Sequence, residues 1–167
     1  RMTLLADGRT LQSGVPRELV AQPVNETAAR LVGVRNLFDG EVLRHDETMG
    51  CTWIKAGDLE LACPIDAARR PGDRVRWMVP TNGVRLRSLT NGDLPPSPNR
   101  LRITVQGLLP LGDEARVTAS LPGIADSLHL QLSVRLANQL GLRPGATTEA
   151  VLRERQLHIL PAGNFGR

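Results

Sequence analysis

Apolar and polar positions change rhythm along this chain, and each change predicts a different kind of element. Met2 to Ala6 is an apolar run that enters a turn at Asp7-Gly8, which predicts a strand and a hairpin. Gly14-Val15-Pro16 then leads into a short helix of about Pro16 to Ala21, because proline is favoured in a first helical turn, and Pro23 closes it. A second helix follows, with Asn25 as its expected N-cap. Ala28, Ala29, Leu31 and Val32 supply its apolar side, and Gly33 ends it. From Leu37 onward the pattern becomes short alternating runs split by Gly, Pro and Asp, the grammar of small β-barrels.

That β-rich region repeats itself. Arg70-Pro71-Gly72 recurs as Arg143-Pro144-Gly145. After each, a strand runs to Val79 or Leu152, and an apolar triplet closes the unit: Val84-Arg85-Leu86 and Leu157-His158-Ile159. The openings match as well, since Asn36 to Val42 aligns with Asn99 to Val105. The second unit is about ten residues longer before its Arg-Pro-Gly, and a helix accounts for the excess. Ser133 is the natural cap of that helix, Leu136, Ala137 and Leu140 form its apolar side, and Gly141 is its stop. The expected organisation is a hairpin-and-helix segment over 1–33, a first barrel over 34–88, a Pro-rich link over 89–97, a second barrel over 98–161 and a tail over 162–167. Because Arg1 stands where an initiator Met is expected and the first strand has no partners upstream, the chain is expected to be part of something longer.

Composition narrows the classes. The apolar fraction of 41% and charged fraction of 23% are those of a soluble protein. No apolar run approaches the ~20 residues that cross a bilayer, and no signal peptide is visible, so a cytoplasmic location is expected. The net charge of +4 invites a nucleic-acid reading, yet twenty Arg and the single Lys55 are scattered rather than clustered. Single-strand binding also needs aromatic platforms, and the chain has only Phe38, Trp53, Trp77 and Phe165. No nucleic-acid partner is therefore expected. Cys51 and Cys63 are too few and too far apart for a disulfide framework or a zinc site, and are expected as free thiols on neighbouring strands.

The residues from Met2 to Val42 carry a resemblance. The turn Asp7-Gly8-Arg9, the helix start Gly14-Val15-Pro16-Arg17-Glu18-Leu19, Pro23, Ala28 to Gly33, and Asn36-Leu37-Phe38 with Gly40 and Val42 resemble the place where the nucleotide-binding domain of an ABC importer ATPase passes into its C-terminal accessory domain of the TOBE or MOP type. The resemblance continues to Pro161 and is to molybdate, sulfate and related oxyanion importers in particular. It implies a mainly β fold of two tandem OB-like five-stranded barrels. It also implies a homodimer, association of the parent with membrane permease subunits, and a peripheral place on the inner membrane.

Candidate chemistry follows in that frame. A P-loop needs Gly-x4-Gly-Lys-[Ser/Thr], and the one lysine, Lys55, lies between Ile54 and Ala56, so no P-loop can be written here. ATP, magnesium and hydrolysis would belong to an upstream domain, and no catalytic residue, metal or cofactor is expected in this chain. His45, His129 and His158 lack metal-ligand spacing, and no nucleophile motif is present. The remaining candidate is an oxyanion: molybdate, tungstate or sulfate. The resemblance implies a site built from a Ser-Ala-Arg-Asn-like opening, a hydroxyl before the module helix, and a Lys-Ala-Ser-like turn. By position the openings are Val34, Arg35 and Asn36 in the first copy and Ser97, Pro98 and Asn99 in the second, and the hydroxyl is Ser133. The turn falls at Pro80, Thr81 and Asn82, and at Arg153, Glu154 and Arg155. Arg35, Asn36, Asn99, Ser133 and Arg153 are thus the candidate ligands. Glu154 opposes them: a carboxylate about 4 Å from a dianion costs roughly 8 kcal/mol at an effective dielectric near 20. Plainer roles stand beside these, with Arg35 and Asn36 as a linker turn in which Asn36 bonds its own backbone, and Ser133 as a simple cap.

Three functions fit this reading. The first is a regulatory and dimer-forming domain of an importer ATPase that senses an oxyanion. The second is the effector domain of a molybdate-responsive transcription factor, which would show three helices before a winged hairpin. The third is an architectural dimerisation domain without ligand.

Overall fold

The computed structural model describes residues 1–86 and 97–160. The link expected at 89–97 lies outside these residues apart from Ser97, as do Pro161 and the tail 162–167. The chain begins with a hairpin of β1 (Met2–Ala6) and β2 (Arg9–Gly14). Asp7 and Gly8 both take positive φ, 49° and 72°, as the two-residue turn of a tightly twisted hairpin requires. Helices α1 (Pro16–Ala21) and α2 (Glu26–Leu31) follow where the sequence predicts them. Asn25 caps α2 by accepting from the Ala28 amide at 2.9 Å, and Gly33, at φ 82°, ends it.

Helix α2 bridges two small cores. Ala28 packs with Leu4 and Leu19 under the hairpin, while Ala29 packs with Leu37, Met78 and Leu160 on the β-region. Leu31, expected on the apolar side, is 51% exposed, because the buried face of this short helix is only as wide as its two alanines.

The duplicated region forms β3 (Leu37–Asp46), β4 (Cys51–Ala56), β5 (Leu59–Pro64), β6 (Arg74–Met78) and β7 (Val84–Leu86), then β8 (Arg100–Leu111), β9 (Glu114–Leu121), β10 (Ile124–Ser133), α3 (Val134–Gln139), β11 (Thr147–Leu152) and β12 (His158–Ile159). These strands make two five-stranded sheets in equivalent orders, β12-β6-β3-β4-β5 and β7-β11-β8-β9-β10. The sheets cross the repeat boundaries: each unit gives its last strand to the other. β7 pairs with β11 (Arg85 opposite Val151), and β12 pairs with β6 (His158 opposite Met78). A single apolar core runs through both sheets, with Phe38 and Trp77 stacked at 4.6 Å in the first and Ile103, Leu128 and Leu152 in the second.

The repeated Arg-Pro-Gly has a shared structural cause. The first strand of each unit carries a β-bulge, between Val42 and Arg44 and between Val105 and Gly107. Gly72 donates to the Val42 carbonyl at 2.7 Å, and Gly145 to that of Val105 at 2.8 Å, so each turn docks on the bulge of its own unit. Both glycines hold positive φ, 92° and 87°, which a residue with a Cβ adopts only under strain. The extra helix of the second unit is α3, capped by Ser133 and followed by Gly141 at φ 63°. Ala137 is buried beneath it, whereas Leu136, expected on the apolar side, is 39% exposed.

Candidate functional site

The opening residue of each unit reaches across to the other. The side chain of Asn36 donates from Nδ2 to the His129 carbonyl at 2.8 Å and accepts the His129 amide on Oδ1 at 2.7 Å. Asn99 makes the same pair with Ala62: Nδ2 to its carbonyl at 2.7 Å, Oδ1 from its amide at 2.6 Å. Each amide group thereby replaces a neighbouring strand, offering the edge of β10 or β5 the donor and acceptor that an antiparallel partner would supply. Both asparagines are fully buried. The expected turn in which Asn36 bonds its own backbone is replaced by this long-range clamp, because the free edge of β10 needs partners more than a solvated turn does.

Beside each clamp lies the turn that the resemblance singles out. The Asn36 carbonyl accepts from Val79, just before a 3-10 turn at Thr81–Gly83. The Asn99 carbonyl accepts from Leu152, just before a 3-10 turn at Glu154–Gln156. Two equivalent cradles result. The first joins Arg35, Asn36 and the Pro80–Gly83 turn at β10. The second joins Ser97, Asn99 and the Arg153–Gln156 turn at β5. Arg35 is exposed, and Arg153 is half-buried with its amide donating to the Gly83 carbonyl at 2.9 Å. Ser133 stands apart from both. Its hydroxyl accepts the Leu136 amide at 3.2 Å as the cap of α3, four residues along β10 from His129.

The cradles differ in charge. In the first, burial lowers the pKa of His129, and the adjacent Arg35 guanidinium lowers it further. In the second, Glu154 acts on the two cysteines. Burial pushes the Cys63 thiol up to about 12, with Asp66, Cys51 and Glu154 adding to it, and Cys51 is raised by burial and then by Glu154. The turn that carries Glu154 packs on β5, and the charge of Glu154 adds to the rise of both thiols. Cys51 and Cys63 are free and buried on adjacent strands, as expected, and protonated. Among the described residues no cluster of His, Cys, Asp and Glu is arranged to hold a metal ion. No described helix is long and apolar enough to cross a membrane. His45, on β3, bonds the Thr52 hydroxyl and the Arg69 carbonyl, each at 2.9 Å, a structural role like the one expected of it.

Sequence reading missed His129 and Ala62 as clamp partners, since their contribution is backbone and leaves no side-chain signal. The matched asparagines were the available clue: residues equivalent in a repeat should have equivalent partners.

No family model matches the chain. A molybdate/tungstate import ATP-binding protein of Pyrococcus horikoshii is 25% identical over 164 residues, which is 96% of this chain and 42% of that protein. Spermidine/putrescine import ATP-binding proteins of Photobacterium profundum and Aliivibrio fischeri are 29% and 32% identical over 94 residues, 56% of this chain. The chain thus spans less than half the length of these relatives. Among solved structures, the cytoplasmic molybdate-binding protein ModG with molybdate bound superposes with a TM-score of 0.64 at 22% identity, covering 77% of this chain and 98% of that one. The homologues of this chain are therefore ATP-binding subunits of molybdate/tungstate and spermidine/putrescine ABC importers, and its fold is that of the molybdate-binding protein ModG.

Proposed function

We propose that this chain is the accessory domain of an ABC importer ATP-binding subunit, that it pairs with a second copy, and that its first cradle senses an oxyanion to modulate transport. One observation carries the sensing: Arg35 sits beside a clamp on β10 with its charge felt at His129, while the second unit has Pro98 at the position of Arg35 and Glu154 where the first cradle's turn has Thr81. A dianion gains from the first arrangement and is repelled by the second. The parent would contact permease subunits, and bound ligand would restrain separation of the ATPase halves through the paired barrels. Support for the importer setting comes from the relatives and from the hairpin and two helices that precede the barrels, where a winged DNA-binding domain would show three helices.

The architectural reading has its own support, since the Asn36 and Asn99 amides are engaged in holding the two units together. Titration calorimetry with molybdate, tungstate and sulfate separates the two. Sensing predicts heat with at least one of them, lost in Arg35→Glu and retained in Arg153→Glu. No heat at millimolar concentration removes sensing and leaves pairing, which sedimentation then tests, a monomer at high concentration counting against both.

A further inference from the structure

On the far side of the two cradle turns, a cavity of about 840 Å³ lies where α1 meets the Pro64–Arg69 loop, Pro80 and Asn82, the Arg155–Gln156 turn and β12. Its walls come from four separate stretches of chain, and they combine two kinds of chemistry. Val20 of α1 and Ile65 of the loop are 41% and 46% exposed and line the same space, above a floor that includes Leu157. Scattered exposed apolar side chains need no explanation, but two that share one concavity form an apolar wall.

Cations stand at its rim. Arg69 is occupied, by the Asp66 carboxylate at 3.5 Å and the Leu160 carbonyl at 2.9 Å. Arg17 and Arg155 also line the cavity, and neither has an acidic partner among the described residues. Gln156 Oε1 is buried with no hydrogen-bond partner among the described residues, but it lies under Gly83 and is not exposed to the cavity.

We propose that this cavity binds a small organic anion with an apolar body. Arg17 and Arg155 hold its anionic group, and the wall of Val20, Ile65 and Leu157 covers its body. The inference does not need oxyanion sensing, because Arg17, Val20 and Ile65 lie outside both cradles, although Pro80 and Asn82 of the first cradle's turn and Arg155 and Gln156 of the second's also line the cavity. Because α1 forms one wall and β12 another, a ligand here also bridges the hairpin-and-helix segment and the first sheet.

The test uses 8-anilinonaphthalene-1-sulfonate, which has a sulfonate, an aromatic body and one N–H, against neutral N-phenyl-1-naphthylamine, on the 167-residue chain. The expected result is saturable one-to-one fluorescence, with the sulfonate bound at least tenfold more tightly than the neutral analogue. Arg17→Gln with Arg155→Gln should erase that difference, and Val20→Trp, which fills the cavity from an exposed position, should abolish binding of both. Equal affinity for the two probes overturns the proposal. So does sulfonate binding that neither variant alters.

Discussion

At the scale of residues, Asn36 and Asn99 do what a strand would otherwise do. A buried amide that satisfies both backbone groups of one residue leaves two orphans when removed, each costing about 1–3 kcal/mol. Asn36→Ala should therefore destabilise the chain by about 2–4 kcal/mol in urea unfolding, and Asn99→Ala by a similar amount, with Asn36→Asp no rescue because a carboxylate cannot donate to the His129 carbonyl. Two hairpin turns are equally particular. Gly57, at φ 58°, lies so close to Gly123 that a Cβ would stand 2.3 Å from its carbonyl oxygen, which is why the β4–β5 and β9–β10 turns both carry glycine where they meet. His158 links residue chemistry to pH. Burial lowers its pKa below 6.5, partly opposed by its bond to the Pro23 carbonyl and by Asp66. The unfolded chain then takes up a proton before the folded one, so the stability His158 confers is whole above about 6.5 and falls as pH drops toward the folded pKa. Urea midpoints at pH 7.5 and 5.5 should differ in that sense, and His158→Gln should narrow the gap, leaving the part that His129 contributes in the same direction.

At the scale of elements, the exchange of final strands decides how the molecule holds together. β12 is only two residues long, yet it lies against β6, and Leu157, Ile159 and Leu160 around it are all buried. Each such side chain is worth about 1.5–3 kcal/mol of burial, far more than two residues of strand pairing would suggest. Ending the chain after Gln156 should thus unfold the first sheet, built mainly from residues 37–78, rather than the second from which β12 comes in sequence. Amide exchange read residue by residue checks this: protection lost first in β9 and β10 would contradict the exchange. The junction is tied at the element scale as well. Glu26 of α2 bonds Arg76 of β6 at 2.5 Å, and Arg76 also meets Asp39 at 3.0 Å, so α2 is fixed to the barrel by charge as well as by Ala29. Arg76 holds the Glu26 carboxyl below its usual range, the chief cause being their hydrogen bond.

At the scale of the whole molecule, the repeat in the chain becomes a near-symmetric pair of sheets around one continuous core, with equivalent bulges, equivalent Arg-Pro-Gly turns and reciprocal clamps. Two units that exchange both a strand and a side-chain clamp cannot separate without breaking both, which makes the pair a single body.

The hairpin, α1, α2, α3 and the paired β modules were legible along the chain because each rests on local signals: Asp-Gly for the turn, Pro16 and Asn25 for helix starts, Gly33 and Gly141 for their ends, and a repeated Arg-Pro-Gly. Those signals act over a few residues and survive in any tertiary context. The candidate residues were legible only as positions. That Arg35 and Arg153 sit in separate cradles, that Ser133 belongs to neither, and that the turn carrying Glu154 packs on β5 followed from long-range packing. Sequence determined which strands exist and where they begin. Tertiary structure decided which sheet each joins, because strands as short as β7 and β12 carry too little pattern to specify an edge, and each pairs with a strand more than sixty residues away in the chain.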